Sequence, residues 1–162
     1  MCRYFSCIVT RDLKAHWLKH TFNHEDIIQS LGLKDEKLAD RDFMRIEITP
    51  KNNRKITRNP DDWQLVVDEE GIAPGWYVTH RKKVEENCWK AWQESVQINI
   101  AIDDEKKIVS DIFIIAYGSS QVIAYDFSHV IACGSSHVTA YGSSHVEACG
   151  SSHVTAYGSS HV

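Results

Sequence analysis

The last third of the chain runs in eights. From Ala116 it reads AYGSSQVI, AYDFSHVI, ACGSSHVT, AYGSSHVE, ACGSSHVT and AYGSSHV, ending at Val162. An even period suits an extended backbone, because strand side chains alternate between two faces and an eight-residue unit returns each position to the same face. A helix would smear the pattern around its circumference, and a glycine with two serines in all units but the second would interrupt it. The repeat therefore predicts strand, turn, strand, with a short strand centred on His-Val-x-Ala-Tyr and Gly-Ser-Ser at each corner. One face carries Val and Ala; the other carries Tyr or Cys, His, and Ile, Thr or Glu.

Cys133 and Cys149 alternate with Tyr141 and Tyr157, which doubles the true period to 16. Two octads then close one coil, and like stacks on like at about 4.8 Å per coil. Residues 116–162 supply about three coils, near the minimum for a stable stack. Each inward Val stabilises by about 1.5–3 kcal/mol when fully buried, so an aspartate in place of Val146 is expected to disrupt the stack. The preceding stretch, 96–115 (VQINIAIDDEKKIVSDIFII), is apolar and β-prone but lacks the Gly-Ser-Ser turns. It reads as degenerate capping coils that join the solenoid to a front domain. The octads are still running at His161 and Val162, which leads us to expect an uncapped end that pairs with a second molecule, or else a truncated reading frame.

Residues 1–95 show no self-similarity and alternate between strand and helix signals. Residues 4–10 (YFSCIVT) predict a strand, Arg11-Asp12 a turn and 16–18 a short partner strand. Asn23 is a helix N-cap, Ile27, Ile28 and Leu31 form an apolar stripe, and Gly32 stands at the C-terminal stop. Residues 43–49 (FMRIEIT) and 63–68 (WQLVVD) predict an antiparallel pair separated by Asn- and Pro-marked loops. Pro74 opens a second helix with Trp76, His80, Val84, Cys88, Ala91 and Trp92 on one stripe, packed over the sheet. The expected fold class is an α+β N-terminal domain followed by a C-terminal parallel β-solenoid of octapeptide repeats, about 16 residues per coil.

The net charge of −4 gives no field for phosphate backbones or anionic lipid, so neither nucleic acid nor membrane is expected as a partner. No apolar run approaches the roughly 20 residues of a membrane span, and the first residues lack the basic-then-apolar layout of a secretory signal. A cytoplasmic address is the expectation. The five cysteines, Cys2, Cys7, Cys88, Cys133 and Cys149, form no CxxC pair and are expected to be reduced thiols.

Three resemblances add to this reading. The tail unit Ala-Tyr-Gly-Ser-Ser resembles the octapeptide of bacterial ice-nucleation proteins, which implies ice binding as an alternative activity; those proteins repeat Thr-x-Thr pairs, whereas Thr139 and Thr155 are single here. The V-x-A-x-G-S-S run is similar to the head repeats of trimeric autotransporter adhesins, which implies a stacked-coil geometry. The front segments CRYFSCIVTRD, HEDII, LGLKD, RIEITP, NPDDW and VDEEGIAPGWY resemble a family of uncharacterised bacterial and phage proteins in which a similar domain precedes variable short repeats. That resemblance implies a modular design and no particular activity.

Candidate chemistry is sparse. Met1-Cys2-Arg3 resembles the opening of class II glutamine amidotransferases, in which a cysteine exposed by Met removal uses its own α-amine as base; the bland reading is a first strand with Cys2 at its mouth. His16, His20 and His24 recur every four residues, but a loop separates them, so exposed histidines are expected rather than a metal site. The histidines His129, His137, His145, His153 and His161 split at the doubled period into two columns, His129, His145 and His161 in one and His137 and His153 in the other. Stacked imidazoles repel when protonated, which predicts lowered pKa values and loosening in mild acid. With Tyr117, Tyr125, Tyr141 and Tyr157 they offer a repetitive aromatic and hydrogen-bonding surface. The expected function is non-enzymatic binding or assembly, with a second copy or another protein as partner and no cofactor or metal. The alternative is a small enzyme or ligand-binding front domain with the tail as spacer.

Overall fold

A computed structural model describes residues 4–34, 41–51, 55–68 and 73–162. The chain divides into two units, Met1–Ser95 and Val96–Val162.

The first unit is built on an antiparallel sheet of β1 (Phe5–Thr10), β2 (Ala15–His16), β3 (Phe43–Pro50) and β4 (Trp63–Val67), in the order β2-β1-β3-β4. Alternation puts Cys7, Val9, Met44, Ile46 and Ile48 on one face, all fully buried. Helix α2 (Gly75–Asn99) covers that face: Cys88 Sγ lies 3.8 Å from Cys7 Sγ, and the Trp92 ring lies 5.3 Å from that of Trp63. On the opposite face Ile8 and Phe43 pack with Ile27 and Ile28 of the short helix α1 (His24–Ser30). The expected cap holds, since the Asn23 side chain accepts from the Glu25 N–H at 3.2 Å. Gly32, at φ +65°, follows the helix end as expected.

Two expectations for α2 are corrected. His80 is exposed and interrupts the helix at φ −112°, ψ 18°, and Tyr77 is the buried residue of that turn. The helix also runs on through Asn99, four residues into the stretch read as capping coil. Ser95, Val96 and Asn99 are buried and extend the Cys88, Trp92 stripe at spacings of three and four, so the helical period holds until the residues turn strictly β-prone at Ile100.

The second unit is a parallel β-solenoid. Its strands are β5 (Ile100–Ile102), β6 (Lys106–Ser110), β7 (Phe113–Tyr117), β8 (Gln121–Tyr125), β9 (His129–Ala132), β10 (His137–Ala140), β11 (His145–Ala148) and β12 (His153–Ala156). Odd strands stack as β11-β9-β7-β5 and even strands as β12-β10-β8-β6. His137 pairs with His153 and Phe113 with His129, a 16-residue step. The first coil is one residue shorter, pairing Ile100 with Ile115 and Lys106 with Gln121, because the corner at Asp111-Ile112 has one residue fewer than that at Asp126-Phe127-Ser128. The core is a thin line of Val122, Val130, Val138 and Val146 with Ala101, Ala116, Ala124, Ala132 and Ala140.

Corners need the left-handed backbone. Gly142 sits at φ +70°, and a Cβ there would meet Asp126 backbone N at 3.1 Å, so close coil-on-coil approach demands glycine as well as the turn does. Where the octad is degenerate, Asp103, Asp111 and Asp126 take the same conformation at φ 50–58°, which aspartate tolerates better than other side chains. The corners are themselves laddered: Ser143 N–H donates to Asp126 O at 3.0 Å and Ser159 N–H to Gly142 O at 2.9 Å. The stack is thus hydrogen-bonded around its turns as well as along its strands.

Candidate functional site

The flattened coil has two edges, and they are chemically different. At one, the corners after the even strands place Tyr125, Tyr141 and Tyr157 in a column, with rings 5.1 and 5.0 Å apart and planes 11° from parallel. Each corner leads into His129, His145 or His161, which form the neighbouring column by pairing of His129 with His145 and of His145 with His161. Phe127, which interrupts the Gly-Ser-Ser pattern between Tyr125 and His129, is 79% exposed on the same edge. At the other edge His137 and His153 stack at 4.9 Å with planes 7° apart.

Both histidine columns follow the doubled period, but Tyr117 is a correction. It ends an odd strand, pairs with Ile102, and precedes the corner equivalent to those of Cys133 and Cys149, so it lies outside the tyrosine ladder. The signal was available, since 16 residues beyond Tyr117 stands Cys133. A second correction follows from the same stacking: Cys133 and Cys149, expected as thiols, form a disulfide with Cα atoms 4.9 Å apart. In-register coils bring like residues to the Cα separation that a disulfide spans. Cys7 and Cys88 are free and buried, and the hydrogen bond between the two thiols, followed by burial, pushes the Cys7 pKa well up.

His129 is the electrostatic centre of the tyrosine edge. Its ring stacks on Phe113 at 5.0 Å and meets His145 at 4.9 Å, and Nε2 lies 3.4 Å from Glu147 Oε1. Its pKa is lowered, first by burial and then by the like charge of His145, with Glu147 opposing. Repulsion between stacked rings was the expected cause; burial under Phe113 leads instead. The donor atoms of His129, His145 and Glu147 lie within 4.8 Å of one another, a set that can ligate a metal ion. Glu147 was not singled out in the sequence, although it is the one acidic residue in the variable slot of the octad.

In the first unit, Cys2 lies outside the described residues. Thr10 Oγ1 sits 2.6 Å from Asp12 Oδ1 and 2.9 Å from His16 Nε2, beside an open groove between β1 and Leu31 and Leu33. The short contact means the hydroxyl proton goes to Asp12, so His16 must donate to the hydroxyl. The hydrogen bond that Thr10 donates to Asp12, with that from Lys14 second, holds the Asp12 pKa down to about 2. The polarity runs from imidazole to carboxylate, the reverse of what would make the hydroxyl a nucleophile.

His20 is exposed as expected, but His24 is not: it is 4% exposed, because α1 lays its first residue on β3. Its Nε2 is 3.2 Å from Ile46 O, its Nδ1 is 3.3 Å from Asp68 Oδ2, and the donor atoms of His24, Glu47 and Asp68 lie within 4.8 Å of one another. Nothing local in the sequence links these three, since they meet only when α1, β3 and the end of β4 are assembled. Among the described residues no helix is long and apolar enough to cross a membrane.

No protein-family model matches the chain, and neither a curated protein nor a solved structure matches it.

Proposed function

We propose that this is a non-enzymatic modular binding and assembly protein, whose solenoid displays a rigid, repetitive Tyr, His and Ser surface to a second copy of itself or to another protein. The observation that carries the reading is the ladder of Tyr125, Tyr141 and Tyr157, three near-parallel rings at 5.0–5.1 Å with Phe127 exposed beside them. Its spacing is set by the distance between hydrogen-bonded strands, so a second solenoid carries the same spacing and can lie side by side in register. Stacking coil on coil, end to end, uses the same register. Aromatic groups held rigid contribute contact area at low entropic cost. The division of the chain into two units supports a modular design. The Cys133–Cys149 bridge favours an oxidising compartment over the cytoplasm.

Sedimentation velocity over a wide concentration range tests the reading. The chain is expected to associate, and the triple variant Tyr125→Ser, Tyr141→Ser, Tyr157→Ser to associate at least tenfold more weakly. A chain that stays strictly monomeric at the highest concentration sinks the self-assembly proposal.

A further inference from the structure

We propose that His24, Glu47 and Asp68 form a binding site for a divalent first-row transition-metal ion, with Zn²⁺ as the committed probe. The case begins with the imidazole. Ile46 O can only accept, so the 3.2 Å contact fixes the proton on Nε2. The other ring nitrogen, Nδ1, faces Asp68 Oδ2 at 3.3 Å. That distance accommodates a positive group shared by the two atoms, either a ring proton or a metal ion.

Three further features favour the metal ion. Glu47 brings a second carboxylate within 4.8 Å of both other donors, and one ring proton serves only one acceptor well, whereas a metal ion takes all three. The 3.3 Å separation matches the edge of a tetrahedron whose bonds are about 2.0–2.1 Å long, as for zinc with nitrogen and oxygen ligands. A histidine that gives its other ring N–H to a backbone carbonyl is the usual outer-shell arrangement of a metal ligand, since it fixes both tautomer and ring orientation.

The surroundings are built to match. Asp68 N–H donates to Arg45 O at 3.0 Å, which ties the end of β4 to β3, and the Arg45 side chain is engaged by Glu25 Oε1 at 3.2 Å. Ser6, directly opposite Glu47 on β1, is fully buried, and its hydroxyl has no protein partner, which puts an available donor one cross-strand step from the Glu47 carboxylate. The Asp68 side chain is half exposed, so an ion in solution can reach its carboxylate. One imidazole and two carboxylates suit Zn²⁺, Mn²⁺, Fe²⁺ or Co²⁺ rather than the softer copper(I).

The test is calorimetric titration of Zn²⁺ into the full chain carrying Glu147→Gln, which disables the solenoid's own histidine–glutamate set. One ion is expected to bind, with Asp68→Asn and Glu47→Gln each weakening it by about tenfold or more, and with Co²⁺ giving visible absorption bands of a tetrahedral site. Asp68 is half exposed, so its variant folds even where His24→Ala does not. Equal Zn²⁺ affinity with and without Asp68→Asn overturns the proposal. So does an NMR spectrum in which the His24 ring carries protons on both nitrogens at neutral pH with equimolar Zn²⁺ present.

Discussion

Every octad but the one at 124–131 holds two serines, and they do different jobs. The first is exposed at the corner, and the second points inward: Ser120, Ser128, Ser136 and Ser144 are fully buried. Parity with Val and Ala, two and four residues further on, makes that assignment readable from the sequence alone. What parity does not give is the hydrogen bonding. At the tyrosine edge Ser144 Oγ donates to Tyr141 O at 2.8 Å, whereas Ser136 Oγ at the cysteine edge has no protein partner. Removing a satisfied hydroxyl costs about 1 kcal/mol, and removing a buried unsatisfied one is neutral or favourable. Ser144→Ala is therefore expected to lower unfolding free energy by about 1 kcal/mol and Ser136→Ala to leave it unchanged or raise it, read by denaturant titration. Equal losses would show that the two edges do not differ in this way.

At the scale of elements, the ladder from β7 to β11 links stability to pH. His129 is held between Phe113 on β7 and His145 on β11, and its pKa is lowered mainly by burial. A histidine whose folded pKa lies below its unfolded value near 6.5 binds more protons when unfolded. Its stability contribution is complete above about pH 6.5 and falls as the pH drops from there toward the folded pKa. Thermal melts at pH 8 and pH 5 should show a lower midpoint in acid, with the difference reduced in His129→Gln; an acid shift that survives that substitution undiminished assigns it elsewhere. The histidine columns were legible because an exact repeat fixes register. Phe113 as the ring that buries His129 was not, because the first coil is a residue short and breaks the count.

For the molecule as a whole, the chain divides between Ser95 and Val96, and that boundary falls within helix α2 rather than in a loop. The thiol inventory is the whole-chain property that the sequence misjudged. Differential alkylation of the unreduced chain with mass mapping should find Cys133 and Cys149 blocked as one bridged pair and Cys7 and Cys88 as free thiols that label only after unfolding. Rapid labelling of Cys133 or Cys149 in the native, unreduced chain contradicts the bridge.

By itself the sequence determined the solenoid, its 16-residue coil, its valine core and its two histidine columns, because a strict even period acts on an alternating backbone and leaves one consistent register. Strand alternation and capping residues likewise determined the elements of the front sheet and α1. Only the tertiary structure decided that Cys133 and Cys149 bond, that α2 runs on to Asn99, and that His24 is buried against Glu47 and Asp68. Those outcomes depend on which residues from separate elements come within a few ångströms, and a local pattern carries no such distance.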